Sequence, residues 1–159
     1  MDLILLRHGK AETTNPDGDF ARALVDKGRD QARRAGKLLR NAGFLPDIVL
    51  TSPLVRARQT AAEFCEAAQI PVAIIQTWLS SGMHPDAAAK ELVAFQDFKR
   101  VAIVGHEPDF SSFIQWSLGA SGGIKIKKGC IACIEILPPS RNGTLKFLIP
   151  PRLAEDPDS

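Results

Sequence analysis

Met1-Asp2-Leu3-Ile4-Leu5-Leu6-Arg7-His8-Gly9 opens the chain: a short apolar run of strand length stops at an arginine and a histidine, and a glycine then permits a sharp turn. Packing gains little from ending a buried strand in two polar side chains. A site at the carboxyl end of a parallel strand gains much. The event recurs where Asp47-Ile48-Val49-Leu50 runs into Thr51-Ser52-Pro53, with Arg56 four residues past the serine. It recurs again where Val101-Ala102-Ile103-Val104 runs into Gly105-His106-Glu107-Pro108. As parallel strands of one sheet, these segments deliver Arg7, His8, Arg56 and His106 to a single edge.

Between them the chain reads as helices and loops. A polar loop follows Gly9, with a turn at Asn15-Pro16-Asp17-Gly18. Arg22 precedes a helix expected to begin near Asp26 as its N-cap, to carry Ala32, Ala35, Leu38, Leu39 and Ala42 at helical spacing on its apolar face, and to end at Gly43. Ser52-Pro53 predicts the start of a second helix, a capping hydroxyl followed by proline at the first helical position. Residues 70–75 predict a third strand, at an edge or just starting because of Pro71. Helices are expected from Pro85 to about Phe95 and from Pro108 onward. Two further strands, near 129–137 and 144–149, flank Asn142-Gly143, which suits a tight antiparallel turn. The alternation predicts an α/β three-layer sandwich: a mainly parallel central sheet with an antiparallel C-terminal component and helices on both faces.

Bulk properties narrow the classes. With 159 residues, 45% hydrophobic and 24% charged, a globular domain over 1–151 is expected, followed by an acidic, flexible tail over 152–159. A net charge of +2 is too small to imply nucleic acid as a partner, and the dense basic group Lys125, Lys127 and Lys128 is expected to be a solvated face. Cys130 and Cys133 have CxxC spacing but lie on a predicted strand, which puts them on opposite faces; with Cys65 they are expected to be buried thiols in a reducing compartment. Too few apolar residues precede Arg7 for a signal peptide and no run approaches a membrane span, so a cytoplasmic location is expected.

Two arginines and two histidines converging on one spot suit an anion, and arginine offers a planar fork matched to phosphate oxygens. Helices starting near Ser52 and Glu107 would add positive dipole ends at the same edge. Other phosphate chemistries lack their residues here. There is no GxxxxGK[ST] loop, no carboxylate cluster at strand ends for paired metals, and no cysteine in a loop before a helix. Histidine is left as nucleophile, with no metal and no cofactor expected.

Arg7-His8-Gly9 resembles the RHG signature of the histidine phosphatase (phosphoglycerate mutase-like) superfamily. The stretch Ser52-Pro53-Leu54-Val55-Arg56-Ala57-Arg58-Gln59-Thr60 is similar to its SPxxRAxQT block, and Gly105-His106-Glu107-Pro108 to its GHxP block. The small size, the Arg22-Ala23-Leu24 segment and the absence of inserted lid helices most resemble the SixA-type phosphohistidine phosphatases. The resemblance implies that His8 is the phosphorylated nucleophile. It also implies that Arg7, Arg56 and a protonated His106 complete the phosphate pocket, and that Arg22 reaches the phosphate or the substrate. Larger members carry a glutamate general acid near the third strand's end, a region that here lacks one. Glu107 and Asp86 are the acid candidates. The implied activity is metal-independent removal of phosphate from phosphohistidine on a protein, either a histidine-phosphotransfer domain or a phosphocarrier, with neither nucleic acid nor membrane as partner. The alternatives are a small-molecule phosphomonoesterase of the same superfamily and a phospho-ligand binding module without turnover.

Overall fold

Alternation within β1 (Asp2–Arg7) divides the interior in two. Leu3 and Leu5 join one apolar cluster while Ile4 and Leu6 join another, because successive strand side chains point to opposite faces. The computed structural model, which describes residues 1–154, adds β2 (Ile48–Thr51), β3 (Ile74–Ile75), β4 (Arg100–Gly105), β5 (Ile131–Glu135) and β6 (Thr144–Ile149). They form one sheet in the order β3-β2-β4-β1-β5-β6. β3, β2, β4 and β1 run parallel; β5 pairs antiparallel with β1, and β6 antiparallel with β5.

Helices α1 (Asp26–Asn41) and α2 (Val55–Ala68) cover the Ile4 face with Ala35, Leu39, Ala57, Ala61 and Phe64. Helices α3 (Pro85–Leu92) and α4 (Asp109–Leu118) cover the Leu3 face with Ala88, Leu92, Phe110, Phe113 and Ile114. The expected three-layer sandwich is the observed one. Cys130 and Cys133 fall into opposite clusters, as a strand spacing of three requires.

Element boundaries differ where local chemistry is diverted. Asp26 is the first helical residue rather than the N-cap; Val25 takes the cap position without a side-chain bond, and Asp26 favours the positive helix end from within the first turn. The second helix starts at Val55 rather than at Ser52-Pro53. The Ser52 hydroxyl accepts the Leu54 N–H at 3.2 Å and is also bonded to His106, so residues 52–54 form a turn ahead of the helix. Similarly, Pro108 precedes α4 instead of opening it. The third strand shrinks to Ile74–Ile75 at the sheet edge, where Pro71 has no N–H to offer. Residues 136–143 connect β5 to β6 as a loop rather than a two-residue turn, with the Gly143 N–H on the Ser117 carbonyl at 2.8 Å. Pro151–Ala154 form a 3-10 turn with Ala154 buried, so the start of the expected tail is packed; 155–159 lie outside the described residues. No helix among the described residues is long and apolar enough to cross a membrane.

Candidate active site

Strand register assembles the cluster. β1 and β4 are parallel neighbours with Arg7 opposite Gly105, so the next residue on each, His8 and His106, emerges at the same level. Their ring centroids are 5.3 Å apart. β2 lies on the other side of β4 with Thr51 opposite Val104, which brings Ser52 alongside His106: the hydroxyl lies 2.7 Å from Nε2. Arg56 enters from the first turn of α2 and is 5% exposed, while His8 and His106 are 6% and 3% exposed. Arg7, at the last position of β1, donates from Nη1 to the Ile126 carbonyl at 2.8 Å.

The loop after β1 is held from two sides. The Gly9 N–H donates to Thr60 Oγ1 at 3.0 Å, and that hydroxyl donates to the Arg56 carbonyl at 2.8 Å, so α2 is fastened to the Gly9 backbone next to His8. On the other side, the loop backbone lies against α1. A Cβ on Gly9 would collide with the Gly28 carbonyl, and one on Gly28 with the Lys10 carbonyl. Only glycine fits either place. Gln59 Oε1 accepts the Leu24 N–H at 2.7 Å, so a second residue of α2 holds the same loop.

Hydrogen bonding selects the histidine tautomer. His8 Nδ1 lies 2.8 Å from the Gly9 carbonyl, which can only accept, so Nδ1 carries the proton and Nε2 keeps its lone pair. Burial foremost, and then His106, Arg56 and Arg7, push the His8 pKa down to about 3. Burial, with Arg56 and Arg7 behind it, pushes His106 down to about 4. Both imidazoles are neutral at neutral pH in the free protein. Burial pushes the thiols of Cys65, Cys130 and Cys133 up to about 11, which removes them as nucleophiles.

Among the described residues, four buried side-chain polar atoms have no hydrogen-bond partner, and three belong to this cluster: Arg7 Nε, Arg56 Nε and His106 Nδ1. Unsatisfied buried polar atoms are costly, and gathering two guanidinium donors and an imidazole nitrogen at one place suits an anionic ligand with several acceptor oxygens.

The structure brings Arg7, His8, Arg56 and His106 together and places Arg22 at their margin. Arg22 donates to the Glu12 carbonyl at 2.6 Å and to Asp19 Oδ1 at 2.9 Å. Asp19 is a residue that sequence reasoning passed over. Its carbonyl accepts from Arg56 Nη1 at 2.9 Å and its Oδ2 from Arg56 Nη2 at 3.2 Å, so one aspartate bridges both arginines. The Arg22 hydrogen bond first, and Arg56 after it, hold its carboxyl below the usual carboxylate range. As one of several acids in a polar loop, Asp19 carried no spacing signal. Of the acid candidates, Glu107 acts on Arg7 electrostatically, but its Oε1 accepts the Ser111 N–H at 2.8 Å. Asp86 lies exposed in the first turn of α3, with no bond or ion pair to the cluster among the described residues.

Known proteins share both sequence and fold with this chain. The model of the histidine phosphatase superfamily (branch 1) matches residues 3–79, a span that contains His8 and Arg56. The 2,3-bisphosphoglycerate-dependent phosphoglycerate mutase of Leifsonia xyli subsp. xyli is 38% identical over 86 residues, covering 52% of this chain and 34% of that protein. The chain spans about a third of the length of the curated mutases it matches. The structure of the protein histidine phosphatase SixA complexed with tungstate superposes with a TM-score of 0.88 at 23% identity, covering 98% of this chain and 100% of that one. The alpha-ribazole phosphatase from Shigella flexneri gives 0.68 at 23% identity, covering 95% and 97%.

Proposed function

From a chain that carries the sequence signature of the histidine phosphatase superfamily in its amino-terminal half and the fold of SixA throughout, we propose a phosphatase that works through a phosphohistidine on His8 and acts on phosphohistidine in a protein. The observation that carries the reading is the convergence of two imidazoles and two guanidinium groups at adjacent strand ends, with the His8 Nε2 lone pair left free.

The chemistry follows from that placement. His8 Nε2 attacks phosphorus in line; the Nε2–P bond forms as the bond from phosphorus to the leaving nitrogen breaks. Arg7 and Arg56 neutralise charge on the equatorial oxygens throughout. A phosphate dianion beside His106 opposes the burial that keeps this ring neutral, so His106 is protonated in the complex and donates to a phosphate oxygen. Water then attacks the phosphoryl group and releases inorganic phosphate, restoring the free His8 imidazole. Neither Glu107 nor Asp86 is placed as a strong acid, and an imidazole leaving group needs less help from one than an alkoxide does.

Purified protein incubated with a phosphorylated histidine-phosphotransfer domain removes the label on this reading, and His8→Ala does not. Equal label retention with wild type and His8→Ala would sink the protein-substrate assignment. A small-molecule phosphomonoesterase is the second reading, supported by the likeness to the alpha-ribazole phosphatase fold and to the mutase sequences. Strong turnover of a metabolite panel with slow phosphoprotein hydrolysis would favour it.

A further inference from the structure

Beside the phosphate cluster lies a groove whose composition the reaction at His8 does not require. It encloses about 910 Å³, and among the described residues eight cationic side chains share it with one carboxylate, Asp30, which pairs with Arg34 at 2.8 Å. Lys27 stands on α1, Lys125 and Lys127 on the loop before β5, and Lys10 on the loop after β1. Arg7 belongs to both this groove and the phosphate cluster, so the two are continuous. The whole chain carries only +2, so positive charge is concentrated here rather than spread over a basic surface.

This is more than an ordinary solvated face. Among the described residues, Lys10, Lys27, Lys125 and Lys127 form no ion pair. Crowding is felt at Lys128, whose ammonium is held below its usual range by burial first and then by Arg7, Arg22, Lys10 and Arg56. Like charges gathered at one site destabilise the free protein and attract a partner of opposite sign. A single phosphate is already served by the cluster, and Lys10, Lys27, Lys125, Lys127 and Lys128, none of them in an ion pair among the described residues, exceed what a second small anion needs. Among the described residues no aromatic side chain lines the groove, so it lacks the stacking platforms of single-strand nucleic-acid channels. Leu148, Pro150 and Pro151 add apolar contact to the charge.

We propose that this groove docks an acidic surface of the phosphorylated protein, holding it so that the phosphohistidine reaches His8. This assignment rests on the protein-substrate reading above. Lys27, Lys125 and Lys127 are exposed, and among the described residues their side chains form no hydrogen bond or ion pair with the phosphate cluster, so the triple variant Lys27→Glu/Lys125→Glu/Lys127→Glu tests the groove. Binding of fluorescein-labelled poly-L-glutamate is followed by anisotropy across a salt series, with oligo(dT) of matched charge as competitor and p-nitrophenyl phosphate hydrolysis as the control for the intact site. Wild type is expected to bind poly-L-glutamate in preference to oligo(dT) and to lose affinity as salt rises. The variant is expected to bind about tenfold or more weakly with p-nitrophenyl phosphate turnover unchanged. With a phosphorylated phosphocarrier the variant raises KM and keeps kcat. Equal binding by wild type and variant, no binding by either, or preference for oligo(dT) overturns the assignment. If poly-L-glutamate behaves as expected but wild type leaves the phosphocarrier untouched, the protein-substrate reading fails while the acidic-polypeptide site stands.

Discussion

On the proposed mechanism, the reactivity of His8 rests on the Gly9 carbonyl and on burial. The Gly9 carbonyl accepts the Nδ1–H hydrogen bond, and burial keeps the ring neutral at pH values where a free imidazole would be cationic. Replacing His8 by alanine is expected to cut kcat by about 1000-fold or more with the fold intact, as steady-state kinetics and circular dichroism would show. Ser52→Ala removes the partner of His106 Nε2, and a loss of about tenfold in kcat, or roughly 1.4 kcal/mol of transition-state stabilisation, is expected. The same burial has a cost in acid. Both histidines titrate far lower folded than unfolded, so the unfolded chain takes up protons first and stability falls as pH drops below about 6.5. At pH 5 each buried ring costs roughly 2 kcal/mol. Melting temperatures of wild type should therefore fall between pH 7 and pH 5, and more shallowly in His106→Gln; parallel profiles would show that the rings do not carry this term. At this scale the four cluster residues were legible, because each ends or follows an apolar run that has no packing use for it. Asp19 was not, since its role comes from a loop folding back onto Arg56.

Elements position the site through backbone contacts more than through caps. Ser52 was expected to cap a helix; it contacts His106 instead, and α2 begins three residues on. A cap signal and a site signal use the same hydroxyl, and sequence alone does not say which one wins. The strand assignments from apolar runs held for β1, β2 and β4, where burial on both faces leaves no ambiguity of register. They failed in length for β3, an edge pair whose isoleucines are about half exposed. The contact between the Gly9 loop and Gly28 of α1 gives the glycine of the first motif a structural task. Gly9→Ala is expected to cost about 1–3 kcal/mol of stability by overpacking against backbone that cannot yield. It should lower kcat as well, because His8 precedes the displaced residue. Chemical denaturation alongside kinetics would check both, and a variant as stable and active as wild type would show that the loop is free to move.

Across the whole molecule, charge is divided unequally: a nearly neutral chain gathers its cations around one end of the sheet. Among the described residues, three of the four buried, unpartnered side-chain polar atoms lie there too. An oxyanion should therefore stabilise the fold by mass action, by about 2.7 kcal/mol at a hundred times its Kd, and Arg56→Ala should abolish most of the shift. A vanadate titration followed by thermal melting would measure it. The layer arrangement and the mainly parallel sheet with its antiparallel C-terminal component were readable from apolar runs and their spacing, whereas the strand order and the groove were not. Lys10, Lys27 and Lys125 are far apart in sequence and meet only after β1, α1 and the loop before β5 have packed. The most direct measurement is a rapid alkaline quench during turnover of a phosphorylated substrate, with the phosphoryl group located by peptide mass spectrometry. One group on His8, appearing and decaying at rates that account for kcat and absent from His8→Ala, is the predicted result. Turnover with no label on His8, or label on any other residue, would contradict the assignment.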